Sequence, residues 1–371
     1  MTNMLEHGAN STFFTPERSN EVFSSPRGQL LIASCRSGAY IAQEIAGHYN
    51  RLLADNGSTS EAMYMDSVDT QFSDSETVVQ LEQHVGGYDV FLVQGLYNPT
   101  SGLTVDQNYM AMFIAARALR EHGARHVTAI VPYLAYGRQD KPSRFKREPT
   151  TAKLMADLTI RSGIDRIITW EPHKAQIRGF YGDIPTTMLD SLTLWTAEFK
   201  RFAGREDVIV VAPDAGASKT ITYFGRALNI SSAIASKFRP RPEEAEITEI
   251  IGDFRDKRVA IVLDDIISSG GTMAALVRSI VDTYNIEEVH IGAIHNLCMP
   301  EAHTRIMDLY ENYNLTEVVV TDTIPQTEAF TELPFVTVRN LAEVLSRVIN
   351  RIHFKQSVSE LFYSGGDHSA S

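Results

Sequence analysis

Short apolar runs rich in valine and isoleucine recur along the chain, and they are continuous rather than alternating. "QLLIAS" (29–34), "DVFLVQ" (89–94), "HVTAIVP" (126–132) and "RIITWEP" (166–172) make one set. "DVIVVAPD" (207–214), "RVAIVLDD" (258–265), "EVHIGAI" (288–294) and "EVVVTDT" (317–323) make a second. Between them, apolar positions fall at helical spacing. The clearest cases predict a helix over 106–122, ended by Gly123, and one over 150–162, opened by Pro149 and ended by Gly163. Strands apolar on both faces, alternating with amphipathic helices, predict an α/β protein whose parallel sheets are flanked by helices on both sides. The stretch "DSLTLWTAEFKRFAGRED" (190–207) separates the two sets, which places one domain at 29–190 and a second at 191–333. Residues 334–371 predict a final strand and helix ("FVTVRNLAEVLSRVINRIH", 335–353) that pack back on the first domain, then a polar tail.

A length of 371 residues gives each domain enough chain for its own core. Residues 1–28 carry Glu6, Glu17 and Glu21, have no apolar segment of signal-peptide length, and read as a polar, partly disordered extension. A net charge of −12 argues against nucleic acid or an anionic membrane as a partner. Cys35 and Cys298 are the only cysteines, too few for a disulfide framework or a cysteine zinc site, and they suit a reducing compartment. No apolar run reaches the length of about 18 residues that a membrane-spanning helix needs. The expectation is a cytoplasmic protein.

"VLDDIISSGGTMAAL" (262–276) carries the most chemistry. A strand ends in Asp264 and Asp265, a turn of Ser268, Ser269, Gly270, Gly271 and Thr272 follows, and a helix begins near Thr272. Loops at the carboxyl ends of parallel strands form the ligand crevice of α/β folds. A glycine turn lets backbone N–H groups reach a phosphate, and the helix start adds free donors and the positive dipole end. The two acids cannot share that phosphate, because like charges repel. They suit the hydroxyls of a vicinal diol, directly or through a bridging metal. The matching ligand is a sugar phosphate with a cis-diol, such as ribose 5-phosphate. A second stretch, "VPYLAYGRQDKPSRFKREPTTAKLMADL" (131–158), follows a strand with a loop crowded with lysine and arginine, suited to a polyphosphate. "GASKT" (216–220) is not a Walker A loop, since Pro213 stands where its first glycine belongs.

"PYLAYGRQD" followed by "REPTTAK" resembles the signature of the ribose-phosphate diphosphokinase (PRPP synthetase) family. Similar stretches are "FSDSETVVQL" (72–81), "EPHKAQIRGFY" (171–181), "VVAPDAGASK" (210–219), "SKFRPR" (236–241), "VTDTIP" (320–325) and "SVSELF" (357–362). The resemblance implies two tandem, related domains of the type I phosphoribosyltransferase-like fold. It also implies transfer of the diphosphoryl group of Mg²⁺-bound ATP to ribose 5-phosphate, giving PRPP and AMP, in a homo-oligomer built from dimers, commonly a hexamer. Carried over by motif, Phe72, Asp74 and Glu76 would border the adenine, and Arg138 and Gln139 would hold the rest of the nucleotide. His173 and Asp214 would lie beside the metal, with His173 also counted among the catalytic residues. Lys237 and Arg239 would be the catalytic cations. In "KFRPRPEEAE" two prolines predict an irregular or extended loop, in which residues two apart face one side, so Lys237 and Arg239 can converge. The chain departs from the family pattern at "SSGGT", at "DAGAS", at Glu171 and at Pro142-Ser143.

Overall fold

The computed structural model describes residues 13–15, 25–143, 145–241 and 244–361, with the backbone alone for 237–241, 244–248 and 360. The chain divides into two compact units, Met1–Asp190 with Asn340–Ser371, and Ser191–Arg339.

The first unit contains strands β1 (Leu30–Ser34), β2 (Met63–Met65), β3 (Asp69–Gln71), β4 (Thr77–Val79), β5 (Asp89–Val93), β6 (His126–Val131), β7 (Arg166–Trp170) and β8 (Thr186–Leu189). Six of them form a parallel sheet in the order β2-β1-β5-β6-β7-β8, while β3 and β4 form a separate antiparallel ribbon. Helices α1 (Ala39–Asp55), α2 (Val105–Glu121) and α3 (Thr151–Ser162) make the crossovers. Leu31 to Ala33 and Val90 to Val93 are buried without a gap, which is why those strands read as solid apolar runs. A capping box between Thr104 and Gln107 starts α2, and Gly163 at φ 104° ends α3.

The second unit contains β9 (Val208–Ala212), β10 (Ser231–Arg241), β11 (Glu244–Ile251), β12 (Val259–Ile267), β13 (Glu288–Asn296), β14 (Leu315–Thr321) and β15 (Val336–Arg339). Their order is β11-β10-β9-β12-β13-β14-β15, parallel except for β11 at one edge. The helices are α4 (Leu192–Glu198), α5 (Ser218–Leu228), α6 (Gly271–Thr283), α7 (Pro300–Asn312) and the short α8 (Glu328–Thr331). The chain then returns to the first unit as α9 (Ala342–His353), which packs along α1. Ser346 Oγ donates to the Ile45 carbonyl (2.9 Å) and Asn350 Nδ2 to the Tyr49 hydroxyl (3.1 Å).

Two expectations need correction, and one is refined. The strand grouped with the terminal helix does not accompany it: β15 pairs with β14 in the second sheet, because Val336–Arg339 complete a parallel ladder there. Within the N-terminal extension some residues are held in place, which the expectation of partial disorder allows. Residues 1–12 and 16–24 lie outside the described residues, but Phe13 is buried edge-on against Tyr49, and Phe14 exchanges hydrogen bonds with Asn350. Two adjacent aromatics in a polar stretch had an apolar surface to cover. Arg27 and Ser25 are likewise tied down, Arg27 by two bonds of 2.8 Å to Asp89. Finally, the lysine–arginine segment is not a loop but the outer half of β10, paired antiparallel with β11. The register slips between Ser236 and Lys237 and again between Phe238 and Arg241. Pro240, which cannot donate to a ladder, falls inside the second irregular interval. Simple two-residue alternation therefore does not carry through Lys237 and Arg239.

Candidate active site

In the second sheet the strand order reverses between β9 and β12, the position where an open α/β sheet leaves a crevice at its carboxyl edge. Val262 of β12 stands opposite Val211 of β9, so Asp214, two residues past the end of β9, follows beside the level at which β12 carries Asp264 and Asp265. β12 continues two residues beyond the predicted end, to Ile267, held by pairing with His295 and Asn296 of β13. Asp265 donates its backbone N–H to Asp264 Oδ1 at 2.9 Å. Burial, the charge and hydrogen bond of Asp265, and the charge of Asp214 together push the Asp264 carboxyl well above the usual carboxylate range. The three acids stand near enough for their charges to act on one another.

Directly after them, Ser269 is buried and Gly270 turns at φ 76° into α6. No side chain caps α6, so the N–H groups of Gly271, Thr272 and Met273 have no partner from within the helix. Ser268, Gly270, Gly271 and Thr272 all keep partial exposure. Acid pair, left-handed glycine and uncapped helix start thus stand in sequence around one edge. Asp214 does not cap α5. Its Oδ1 accepts the Gly216 N–H at 2.7 Å and its backbone carbonyl that of Ala217, which makes a turn ahead of the helix.

In the first unit, β6 and β7 are neighbours, and their trailing loops carry Arg138 with Gln139 and His173 respectively. A Cβ on Gly137 would stand 3.6 Å from Ile177 Cδ1 and 4.0 Å from His173 Cβ, so the two loops touch. Gln176 Nε2 to Asp140 Oδ2 (3.1 Å) ties them again. Gln139 is fixed by the Thr151 hydroxyl on its Oε1 (2.7 Å), at the start of α3. Arg138 is exposed and, among the described residues, makes no ion pair. Glu171, two residues before His173, holds φ 35°. These residues form one group. Phe72, Asp74 and Glu76 form another, on the exposed turn between β3 and β4, a ribbon that packs on α2. There the Phe72 N–H donates to the Glu76 carbonyl and the Glu76 N–H to Asp74 Oδ1. Phe72 is 58 % exposed, so it is no core residue; an aromatic face on this hydrogen-bonded turn is available for stacking.

Lys237 and Arg239 lie on β10, which follows β9 in the sheet, and their side chains are outside the described residues. Among the described residues no group of three or more His, Cys, Asp or Glu side chains is arranged to hold a metal ion unaided. The raised Asp264 carboxyl and its two acidic neighbours nonetheless fit Mg²⁺, which takes one or two carboxylates and completes its shell with water and substrate phosphates. One contact to the glycine turn escaped the sequence reading: Arg305 of α7 donates from Nη1 to the Ser269 carbonyl. A separation of 36 residues leaves no local signal for it.

Comparison with known proteins gives a consistent picture. Residues 30–163 match the N-terminal domain of ribose phosphate pyrophosphokinase, and residues 230–363 match the phosphoribosyl synthetase-associated domain. A ribose-phosphate pyrophosphokinase of Caldanaerobacter subterraneus subsp. tengcongensis is 34 % identical over 333 residues, 90 % of this chain and 98 % of its own. One from Chromobacterium violaceum is 36 % identical over 294 residues, 79 % of this chain and 85 % of its own. The crystal structure of phosphoribosylpyrophosphate synthetase from Mycobacterium smegmatis aligns with a TM-score of 0.71 at 28 % identity, covering 87 % of this chain and 98 % of that one. Two linked α/β units with the acid pair and glycine turn at a sheet crevice, and relatives that match over nearly their whole length, lead to one conclusion: the chain belongs to the ribose-phosphate pyrophosphokinase family.

Proposed function

We propose that the protein catalyses ATP + ribose 5-phosphate → AMP + PRPP, with Mg²⁺ as its cofactor. The observation that carries this reading is the carboxyl edge between β9 and β12, where an acid pair and an uncapped helix start stand side by side. Asp264 and Asp265 accept hydrogen bonds from the 2- and 3-hydroxyls of the sugar. The N–H groups of Gly270, Gly271 and Thr272, with the hydroxyls of Ser268, Ser269 and Thr272, receive its 5-phosphate. That orientation leaves the anomeric hydroxyl as the free nucleophile.

The hydroxyl oxygen attacks the β-phosphorus. A new C1–O–Pβ link forms, the bridging bond from Pβ to the AMP oxygen breaks, and the hydroxyl proton is released. In the first unit, Phe72 stacks on the adenine, Asp74 and Glu76 accept from its edge, and Arg138 and Gln139 hold the nucleotide's phosphates and ribose. Asp214 at the second unit's edge and His173 on the nucleotide side of the first are the residues that would serve Mg²⁺, which when bound would supply charge neutralisation of the triphosphate. Lys237 and Arg239 neutralise the charge that builds on the transferring group, which needs positioning and electrostatics rather than covalent help.

A homo-oligomeric state and a cytoplasmic location belong to the same proposal; among the described residues no helix is long and apolar enough to cross a membrane. The test is incubation of the purified chain with ATP, Mg²⁺ and ribose 5-phosphate, with no base present. AMP and PRPP in equal amounts support the reading. ADP with a phosphorylated sugar, or reaction only when PRPP and a base are supplied, overturns it.

A further inference from the structure

The turn proposed to receive the 5-phosphate contains a feature that works against an anion, namely the carbonyl of Ser269. Backbone N–H groups attract a phosphate, whereas a carbonyl oxygen turned the same way repels it. Arg305 engages this oxygen from α7. One helical turn earlier on the same helix, the Ala302 Cα lies 3.3 Å from where a Cβ on Gly270 would stand. α7 therefore backs the turn at two successive residues, and at the second of them Gly270 holds a φ of 76° that side chains resist. Arg305 is half-buried and, among the described residues, has no carboxylate partner. The neighbouring cation on α6, Arg278, is by contrast paired with Asp308.

We propose that Arg305 is the positioning residue of the sugar-phosphate cradle. It fixes the Ser269 carbonyl away from the ligand so that the N–H groups of Gly270, Gly271 and Thr272 face the 5-phosphate. Its unneutralised charge raises the anion affinity of the turn. This rests on the sugar-phosphate reading of the cradle given above.

The test is steady-state kinetics of Arg305→Ala and Arg305→Lys, with ribose 5-phosphate and ATP varied separately. Losing one charge-assisted hydrogen bond that orders the turn should raise the KM for ribose 5-phosphate on the order of 10–100-fold, with kcat and the KM for ATP within about twofold. Arg305→Lys should recover part of the loss, as should millimolar guanidinium added to Arg305→Ala. Arg278→Ala removes a cation of the same sign nearby and should leave the sugar KM unchanged. Asp265→Asn separates the two levels of the account. If it leaves ribose 5-phosphate saturation unaltered, the sugar reading itself fails. If it weakens saturation while Arg305→Ala does not, only the role of Arg305 is overturned. A fall in kcat with both KM values raised together also overturns it, since that is general damage. Should Arg305→Ala not fold, Arg305→Gln keeps a donor without the charge; an unchanged sugar KM there is equally contradictory.

Discussion

Replacing Asp264 with Asn should stabilise the ligand-free protein and weaken its use of ribose 5-phosphate. The carboxyl is pushed up by burial, by Asp265 and by Asp214, so its folded-state pKa lies above its unfolded one. Such a group holds its proton more tightly in the folded state. Its ionisation therefore costs nothing below about pH 4, near the unfolded pKa, and costs progressively more as pH rises towards the folded pKa, beyond which the loss is constant. Asp264 keeps part of its surface, so solvent discounts the penalty. A relief of about 1 kcal/mol would correspond to a rise of roughly 2–4 °C in unfolding midpoint for a domain of this size. The assay is thermal unfolding of wild type and Asp264→Asn from pH 4 to pH 8, without nucleotide or divalent cation. The gain should be near zero at pH 4 and grow as pH rises towards 8, and the same variant should show a raised KM for ribose 5-phosphate. A midpoint equal to or below wild type at pH 8 would refute the view of Asp264 as a carboxylate held at an energetic cost for a ligand.

Asp89→Asn should act in the opposite direction. Burial pushes the Asp89 carboxyl up, but hydrogen bonds from His353 and Arg27 more than offset this and leave it below the usual range. Removing it strands Arg27 and should cost about 3–5 kcal/mol, roughly 6–20 °C in midpoint at pH 7, measured by calorimetry. Lys237→Ala should lower kcat by about 10²–10³ with substrate KM values nearly unchanged. Arg239→Ala should do the same, the double variant less than the product of the two, and Arg241→Ala little, all read from steady-state rates. Exhaustive chelation should abolish turnover and added Mg²⁺ restore it; full activity in excess chelator would contradict the metal's role.

The interior strands were legible because both of their faces are buried, leaving a continuous apolar signature such as Val90 to Val93 or Val208 to Ala212. Strands without that signature were missed. β2 and β8 have three and four residues, too few for a pattern. β10 and β11 carry lysine, arginine, glutamate and proline because they form an edge hairpin, and sequence alone reads such a stretch as a loop. Phe13 and Phe14 were overlooked for a related reason: their partners, Tyr49 and Asn350, are remote in sequence. The carboxyl edge of β12 was legible as a unit since its acids, glycines and helix start lie within 15 residues of chain, 262–276. Two facts needed the fold. Asp214 reaches Asp264 only through the β9–β12 pairing, and Arg305 reaches Ser269 only because α7 packs beside α6.

The central claim is that a whole diphosphoryl group passes to the sugar, and positional labelling tests it most directly. The purified chain is supplied with Mg²⁺, ribose 5-phosphate and ATP labelled either at the α- or at the γ-phosphorus, and the products are separated. The account predicts that all γ-label appears in PRPP and all α-label in AMP, with neither in inorganic phosphate nor in ADP. Recovery of α-label in ADP, or of γ-label in a sugar bisphosphate, would mean attack at the γ-phosphorus and would contradict it.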